Sequence, residues 1–314
     1  MTRPSYLGLL ESGDLARRAE EARAGLSACT LCPRRCGVDR LAGETGWCRS
    51  GRLPRVASAG PHFGEEPELV GRGGSGTIFF ANCTMRCEFC QNYSISQCGA
   101  GEEIACADLA RIMLRLQEAG CHNINLVSPT HYLPQILRAL VTAAAWGLAI
   151  PLVYNTGGYD RAETIALLDG IVDIYMPDAK YGDDATALAL SHAPDYTRYM
   201  KESIREMHRQ VGDLAVEDGI AVRGLIVRHL VLPCGLAGSR EVFRFIADEV
   251  SRDTYVNVME QYYPAWHAAG PSAELPSCLH RRLSPAEFAD ALEEAAAAGL
   301  HRGFPAPTGR RAGL

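Results

Sequence analysis

Three cysteines with short spacing offer the clearest chemistry in the sequence. Cys83, Cys87 and Cys90 lie in the stretch NCTMRCEFCQN. Three closely spaced thiolates on one loop can ligate three corners of a [4Fe–4S] cube and leave the fourth iron open for another ligand. Zinc is the competing metal, but a structural zinc site takes four protein ligands, so it would need Cys98 or a distant histidine. The spacing favours an iron–sulfur cluster with one open coordination position.

A second group of four cysteines precedes the first. Cys29, Cys32, Cys36 and Cys48 lie in CTLCPRRCGVDRLAGETGWC, where glycines permit tight turns. A structural zinc ion is the first interpretation of four such ligands. A second iron–sulfur cluster that feeds electrons and a metal-free cysteine core are the alternatives. The five remaining cysteines are predicted to be ordinary buried apolar residues: Cys98, Cys106, Cys121, Cys234 and Cys278.

The composition limits the class of protein. The chain has 314 residues, of which 47% are hydrophobic and 22% are charged, and this excludes a mainly disordered protein. Its net charge of −6 excludes binding of nucleic acid or acidic lipid by charge alone. No apolar run reaches the ~18 residues of a membrane span, and the charged N-terminus lacks an apolar signal segment. We therefore expect a cytoplasmic protein without membrane or nucleic-acid partners, whose clustered cysteines ligate metal rather than form disulfides.

Alternating strands and helices must position the cysteines. Apolar runs predict six strands, at 77–81, 123–127, 150–154, 171–176, 222–232 and 255–259. Helical patterns predict helices at 108–119, 133–146, 162–168, 196–211, 240–250 and 285–298. This alternation indicates an α/β fold with a parallel sheet. Six βα units are too few for a closed eight-stranded barrel, so we expect a partial (β/α)6 barrel with its chemistry at the carboxyl ends of the strands.

The sequence divides into three predicted parts. Residues 1–75 comprise a charged helix or pair of turns, the small cysteine-rich module and a linker over 51–75 that is rich in Gly and Pro. Residues 76–300 form the predicted barrel, and 301–314 are predicted to be a disordered tail. The first barrel strand ends just before Cys83, which places the three-cysteine loop at the catalytic end.

The cysteine loop CTMRCEFCQN resembles the C-x3-C-x2-C loop of the radical S-adenosylmethionine (SAM) superfamily. Within that superfamily the chain resembles the branch of the pyruvate formate-lyase activating enzyme, and in particular short members with an N-terminal CxLCPRxCG module. Further stretches match in the same strand-by-strand order up to about Pro264: GSGTIFFANC, NINLVSPTHYLP, YNTGGYD, DIYMPDAKY, RHLVLP and VNVMEQYYP.

The resemblance implies a radical mechanism. SAM would chelate the open iron, and one electron from the reduced cluster would break its S–C5′ bond to give methionine and a 5′-deoxyadenosyl radical. That radical would abstract hydrogen from a substrate, most specifically from glycine in a glycyl-radical protein or peptide. The resemblance also implies a flavodoxin- or ferredoxin-type electron donor. Because the cofactors do the hard chemistry, no side-chain acid or base is nominated as catalytic.

The resemblance further implies which residues contact SAM. They are Asn92, Ser128, Thr130, Asn155, Thr156, Asp178, Lys180 and Arg228. Lys180 would bind the SAM carboxylate or a nearby hydroxyl, with a surface ion pair as the alternative. Arg228 would lie near the same carboxylate, and His229 on the opposite face of the strand would be a core histidine. The family has an acidic residue at the Asn155 position, so a cation site is not expected there.

Two other motifs depart from the family pattern. SPTH at 128–131 replaces the Gly-Gly-Glu stretch that supports the SAM amino group, so main-chain carbonyls or the hydroxyls of Ser128 and Thr130 would serve instead. QYY at 261–263 lacks a SAM-contacting histidine found in some activating enzymes. Asn92 would bond the adenosyl or ribose group, with a loop-capping role as the alternative.

Two alternative functions remain open from the sequence. One is radical modification of another peptide, a protein or a small molecule, for which Cys234 would serve as a thiol hydrogen donor unless it is simply buried. The other, from a different class, is a non-enzymatic iron–sulfur carrier or zinc-binding module. Only an enzyme of this type would release 5′-deoxyadenosine from SAM.

Overall fold

A sheet of nine strands forms the frame of the computed structural model, which describes residues 3–270, 272 and 274–305. The strands are β1 (Arg55–His62), β2 (Ser75–Phe80), β3 (Glu102–Glu103), β4 (Ile124–Val127), β5 (Leu152–Thr156), β6 (Ile174–Pro177), β7 (Ala215–Glu217), β8 (Ile220–Leu230) and β9 (Tyr255–Met259). All six predicted strands are present, as β2, β4, β5, β6, β8 and β9, and β9 has the predicted bounds.

The parallel part of the sheet is built from those six predicted strands. β2, β4, β5, β6 and β8 pair in this order, and β9 pairs with β8. Within the described residues no ladder joins β9 back to β2, so the barrel is partial. The predicted α/β fold with a parallel sheet is confirmed. Because the strands run the same way, their carboxyl ends gather at one edge.

Eleven α-helices occur in the described part of the chain. They are α1 (Tyr6–Ser12), α2 (Asp14–Ala24), α3 (Pro67–Val70), α4 (Tyr93–Ser96), α5 (Cys106–Glu118), α6 (Leu133–Ala145), α7 (Ala162–Ala166), α8 (Asp184–Ser191), α9 (Tyr196–Val211), α10 (Ser239–Glu249) and α11 (Pro285–Ala297). The predicted helices α5, α6, α7, α9, α10 and α11 have bounds within about two residues of those expected. Among the described residues, none of the helices combines the length and apolar character that a membrane crossing requires.

The sheet separates two apolar cores. The larger lies between the sheet and its surrounding helices and includes Leu126 and Tyr154. The smaller lies inside the partial barrel, where Val153 and Ile226 pack with Leu69 from α3. Successive strand residues face opposite sides, so neighbours in sequence divide between the two cores. Leu69 thereby closes the barrel at the amino-terminal ends of the strands, because β1 ends beside the start of β2.

The predicted linker over 51–75 is structured, which corrects the expectation of a loop. β1 pairs antiparallel with β2 over the register Val56↔Phe80 to His62↔Ser75, and α3 follows it. The segment RVASAGPH has neither an apolar run nor a regular alternation, so propensity alone gives no strand signal. Pairing with the long edge of β2 supplies the hydrogen bonds that stabilise it.

The two ends of the chain pack on the barrel. The predicted charged helix is a pair of helices, α1 and α2, and Tyr6 is fully buried with its hydroxyl donating to the Ile150 carbonyl at 2.9 Å. At the other end Arg302, inside the segment predicted to be a tail, forms a bridge with Tyr255. The order of the chain therefore extends beyond the expected boundary at residue 301. The predicted disorder of 306–314 lies outside the described residues.

Candidate functional site

Three thiols, hereafter the barrel trio (Cys83, Cys87 and Cys90), lie on the loop that follows β2 at the carboxyl edge of the sheet. Ser191 Oγ donates to Cys87 Sγ at 3.0 Å, and the Met85 amide donates to Cys83 Sγ at 3.4 Å. Cys90 Sγ lies 3.1 Å from Ser96 Oγ. Polar hydrogens directed at sulfur stabilise thiolates, which are the form that ligates metal.

Burial opposes the ionisation of two thiols of the barrel trio, Cys83 and Cys87. It raises the pKa of Cys83 to about 12, with Cys87 adding to the shift. It raises the pKa of Cys87 to about 11, although Lys180 acts in the opposite direction. Buried thiols that disfavour their own ionisation become thiolates when a metal shares the site. The donor set therefore fits an iron–sulfur cluster that binds through three cysteines.

The C-terminal end of α8 anchors the cysteine loop from outside. The amides of Arg86 and Glu88 donate to the Ser191 and Leu190 carbonyls at 3.1 and 2.9 Å. The sequence analysis missed Glu88. Its carboxylate lies 2.6 Å from His192 Nε2. The C-terminal end of α8 thus holds the backbone on which the thiols are arranged.

Arg228 stands at the centre of the barrel interior. Its Nε donates to Asp178 Oδ1 at 2.8 Å, and its Nη2 donates to the Asn155 carboxamide oxygen at 2.7 Å. Its Nη1 lies 3.6 Å from Glu65 Oε2. Burial opposes the guanidinium charge, but Asp178, Glu66 and Glu65 outweigh it and raise the pKa of Arg228. The Arg228 guanidinium therefore bonds the side chain of Asn155, at the position where the family pattern has an acidic residue.

Lys180 links this interior to the barrel trio. Its ammonium forms an ion pair with Asp178, and both side chains are largely buried, so the alternative of a surface pair is wrong. Burial raises the pKa of Asp178, but Arg228 and Lys180 outweigh it and hold the pKa below its usual value. Burial lowers the pKa of Lys180, but Asp178 and Cys87 outweigh it and raise the pKa overall. Lys180 is therefore a charged group beside the cysteine loop.

Two acidic residues from the segment between β1 and α3 close the interior from below. Glu66 is 4% exposed, and its Oε1 accepts from Asn257 Nδ2 at 2.8 Å. Glu66 Oε2 and both polar side-chain atoms of the fully buried Asn125 have no hydrogen-bond partner among the described residues. Burial raises the pKa of Glu65 against the effect of Arg228. The sequence analysis missed Glu65 and Glu66, which lay in the predicted linker.

Two of the residues assigned to SAM are engaged elsewhere. The Thr130 and Thr156 hydroxyls both donate to the Asp160 carboxylate, each at 2.6 Å. Asp160 is fully buried, and burial raises its pKa although these hydroxyls act against the shift. These hydroxyls satisfy the buried carboxylate, so a SAM contact through them has no support from this geometry. Asp160 itself was missed, although it ends the quoted stretch YNTGGYD.

Ser128 and Asn92 occupy exposed or strained positions at the same edge. Ser128 follows β4 with φ of 56°, a left-handed conformation that is uncommon outside glycine. Its amide donates to the Asn155 carbonyl at 2.8 Å, which holds the ends of β4 and β5 together. Asn92 is exposed, and its carbonyl accepts from Ser96 at 2.9 Å at the start of α4. The Asn92 side chain makes no capping hydrogen bond to α4, so the alternative of a loop-capping asparagine is not supported.

The other four thiols, hereafter the N-terminal quartet (Cys29, Cys32, Cys36 and Cys48), line one small pocket. Burial raises the pKa of Cys32 to about 12, and the other three thiols add to the shift. Arg40 is 1% exposed, and its guanidinium lies 3.8 Å from Cys29 Sγ. Among the described residues, neither cysteine set has three side chains that converge on a single ion position.

The remaining cysteines and His229 lie away from these two sets. Of the five cysteines predicted to be buried, Cys121 is buried, whereas Cys98 and Cys234 are exposed. Cys234 Sγ lies 3.8 Å from Arg281 at the protein surface, so the proposed thiol hydrogen donor inside the cavity is not supported. His229 is fully buried, with ring nitrogens 2.6 Å from the Ala179 carbonyl and 2.9 Å from Ser239 Oγ. This confirms His229 as a core histidine.

Comparisons with known proteins agree with this arrangement. The family profile of the radical SAM superfamily matches residues 77–233. An uncharacterized protein of Methanocaldococcus jannaschii is 33% identical over 286 residues, which cover 88% of this chain and 76% of that protein.

Two solved structures share part of the architecture. HydG, a maturase of the [FeFe]-hydrogenase, is similar over 70% of this chain with a TM-score of 0.45 and 10% identity. The match spans about half of HydG, 48% of its chain. The structure of TYW1 with a lysine-pyruvate adduct is similar over 72% of this chain and 74% of that chain, with a TM-score of 0.44 and 10% identity.

Proposed function

Because the chain belongs to the radical SAM superfamily and is therefore an enzyme, we propose that it removes a hydrogen atom from its substrate with SAM and a [4Fe–4S] cluster bound to the barrel trio. One observation carries the proposal. Three thiols, rather than four, lie at the carboxyl edge of the parallel strands, directly beside the charged residues of the barrel interior. A non-enzymatic iron–sulfur or zinc module is not retained, since family membership supports chemistry.

The bound cofactors would supply one electron to the S–C5′ bond of SAM and a nucleoside radical that abstracts hydrogen. The chain's own residues would hold and shield them. Lys180 and Arg228 offer positive charge to the SAM carboxylate, and Asp178 fixes both cations in place. The Asn155 carboxamide and Ser128 lie at the same strand ends. The buried interior excludes water from the reacting centre.

The most specific form of the proposal is activation of a glycyl-radical protein. It is supported by the motifs shared with the activating-enzyme branch, from CTMRCEFCQN to VNVMEQYYP. A small polar molecule is the second candidate substrate. It is favoured by the interior itself, since Leu69 closes the floor and Glu66 and Asn125 present buried polar atoms without partners.

The reaction requires a low-potential electron donor, for which we propose a flavodoxin- or ferredoxin-type protein. A cytoplasmic location fits this requirement and the clustered free thiols. No membrane or nucleic-acid partner enters the proposal.

The test is SAM cleavage by protein reconstituted without oxygen. With dithionite and SAM, the wild type should release 5′-deoxyadenosine and methionine, and Cys87→Ala should lose at least a thousandfold of this rate. Cys98→Ala, a change at an exposed cysteine outside both sets, is the matched control and should keep the activity. Equal cleavage by wild type and Cys87→Ala would refute the proposal.

A second experiment addresses the substrate. Reduced enzyme and SAM are incubated with candidate glycyl-radical proteins, and electron paramagnetic resonance is used to detect a glycyl doublet. A doublet that depends on the barrel trio supports protein activation. Cleavage without a doublet for every candidate directs the search to small polar molecules.

A further inference from the structure

The N-terminal quartet is brought together from a segment with little regular structure. Its pocket is lined by the four thiols together with Val38, Gly46 and Arg40. Gly46 permits this arrangement, because a Cβ at residue 46 would lie 2.6 Å from Cys36 Sγ. The backbone turns that gather the thiols include a hydrogen bond from the Arg35 amide to the Cys32 carbonyl at 3.0 Å. The local fold is thus built around four sulfurs.

The space between these sulfurs distinguishes two metals. A zinc ion bonds each thiolate at about 2.3 Å, which draws the four sulfurs to within about 3.8 Å of one another and fills the centre. All four thiols of the quartet line one pocket, but among the described residues no three of them are placed to hold a single metal ion. The same holds for the barrel trio, which the superfamily uses for a cube.

We infer that Cys29, Cys32, Cys36 and Cys48 hold a second [4Fe–4S] cluster, with all four irons capped by protein, and that this cluster passes electrons to the catalytic one. The first part rests on the placement of the four thiols alone. The relay rests on the proposed function, because it needs a catalytic cluster to receive the electron. The structural zinc ion, the first interpretation from the sequence, is thereby replaced.

Hydrogen-bond donors and cations around the quartet suit an anionic cluster. The Trp47 amide donates to Cys36 Sγ at 3.4 Å. Arg40, almost fully buried, approaches Cys29 Sγ and donates to the His131 carbonyl at 2.7 Å. Amide donors and a fixed buried cation stabilise the reduced form of a cluster, which carries one more negative charge.

The segment between Cys36 and Cys48 is packed on the loop of the barrel trio. The Trp47 ring lies between the guanidinium groups of Arg34 and Arg86, at 4.0 and 4.1 Å. Arg34 donates to the Thr84 carbonyl at 3.1 Å, and Arg86 donates to the Trp47 carbonyl at 3.1 Å. The loops that carry the two cysteine sets are therefore in direct contact.

Arg34 shows how near the two sets lie. Burial lowers its pKa, while thiols of both sets, Cys32 and Cys36 on one side and Cys83 on the other, act to raise it. Arg34 therefore lies within electrostatic range of thiols from both sets.

In the relay a low-potential protein donor loses one electron to the quartet cluster. That cluster then reduces the catalytic cluster by one electron, and no bond or proton is transferred.

Metal content tests the cluster directly. The variant Cys83→Ser/Cys87→Ser/Cys90→Ser, purified without oxygen and reconstituted, should keep about four irons and four sulfides per chain and give a reduced-cluster resonance signal. It should cleave no SAM, so loss of the proposed function and loss of the quartet cluster are measured separately. About one zinc and no iron in this variant, or no metal at all, would overturn the inference.

A glycine pair supplies a milder test within the quartet. Gly46→Ala should lose about half of the iron of the reconstituted wild type, since the added Cβ displaces Cys36. Gly25→Ala is the matched control, because its Cβ would meet nothing within 4 Å and its φ of −63° suits alanine. Equal iron in the two variants would contradict the assignment.

The relay has its own readouts. In the fully reduced wild type, the two cluster signals should be broadened by magnetic interaction, and each should sharpen when the other set is removed. Gly46→Ala should cleave SAM with dithionite at a wild-type rate and at least tenfold more slowly with reduced flavodoxin. Unbroadened signals, together with equal rates from both reductants, would overturn the relay while leaving both clusters in place.

Discussion

The barrel trio and the N-terminal quartet use the same ligand in two different surroundings. The trio lies on a loop at the edge of a parallel sheet, next to Lys180 and an interior with several charged side chains. The quartet lies in a loop-rich module and surrounds a small pocket beside buried Arg40. The difference teaches that ligand number and neighbourhood, not cysteine content, are the grounds for assigning the trio to catalysis and the quartet to electron transfer.

The cations of the two regions also differ in their partners. Around the trio, Arg228 and Lys180 are held by carboxylates, so the interior is a network of opposite charges. Around the quartet, Arg34 and Arg40 donate mainly to backbone carbonyls. A carboxylate network can exchange one of its bonds for a charged ligand such as SAM, whereas cations bound to carbonyls stay fixed.

The largest expected effect is on stability. Arg228→Ala leaves Glu65 without its buried counter-charge and Asp178 with Lys180 alone, so we expect a loss of about 3–5 kcal/mol in the free energy of unfolding. Arg34→Ala, its counterpart near the quartet, loses hydrogen bonds to carbonyls and should cost about 1–2 kcal/mol. Anaerobic urea unfolding measures both. If the two losses were equal, the contrast between the charge networks would not hold.

Ligand affinity comes next. Lys180→Met should weaken SAM binding about 10- to 100-fold, because one charge-assisted bond to the ligand is worth about 1.5–3 kcal/mol. The iron content should stay at the wild-type value, since Lys180 is not a ligand of iron in this proposal. Lys201→Met, at a surface lysine 3.9 Å from Glu249, is the control. Equilibrium binding of SAM to reconstituted protein decides, and unchanged affinity would remove Lys180 from the site.

A pH effect of moderate size should come from two buried histidines. Burial lowers the pKa of His131, beside the quartet pocket, and of His229, behind the barrel interior, each to about 4. Both pKa values lie below the unfolded value, so the unfolded chain binds more protons and stability falls as pH falls from about 6.5 towards 4. From pH 7 to pH 5 each histidine should cost about 2 kcal/mol.

Paired variants separate the two contributions. Thermal unfolding of His131→Gln and of His229→Gln should each show a smaller dependence on pH than the wild type. A dependence that disappears with one variant alone would show that the pKa of the other histidine is the same in the folded and unfolded chain, which contradicts its lowered value.

The sequence predicted the elements and ligands whose signal is local. The six barrel strands are buried apolar runs, and the two cysteine sets have short spacings, so both could be recognised without their partners. Glu65 was missed because its partner Arg228 lies more than 160 residues away, in β8. Thr130 and Thr156 were assigned to a ligand because Asp160, which accepts from both, becomes their neighbour only in the folded chain.

The smallest expected effect, on the reduction potential of the trio, tests whether the two sets respond independently. Ser191→Ala removes the hydroxyl that donates to Cys87 Sγ at 3.0 Å. Such a bond favours the more negative reduced cluster by about 1 kcal/mol, so its loss should lower the potential by about 20–50 mV. Ser203→Ala, at a fully buried serine that bonds only the Met200 carbonyl in the described structure, is the control. In a redox titration followed by resonance, the trio signal should move and the quartet signal should stay, because the quartet has its own donors in Trp47 and Arg40. If both signals moved together, the clusters would behave as one electronic unit. The contrast between a catalytic site and an electron-transfer site would then fail.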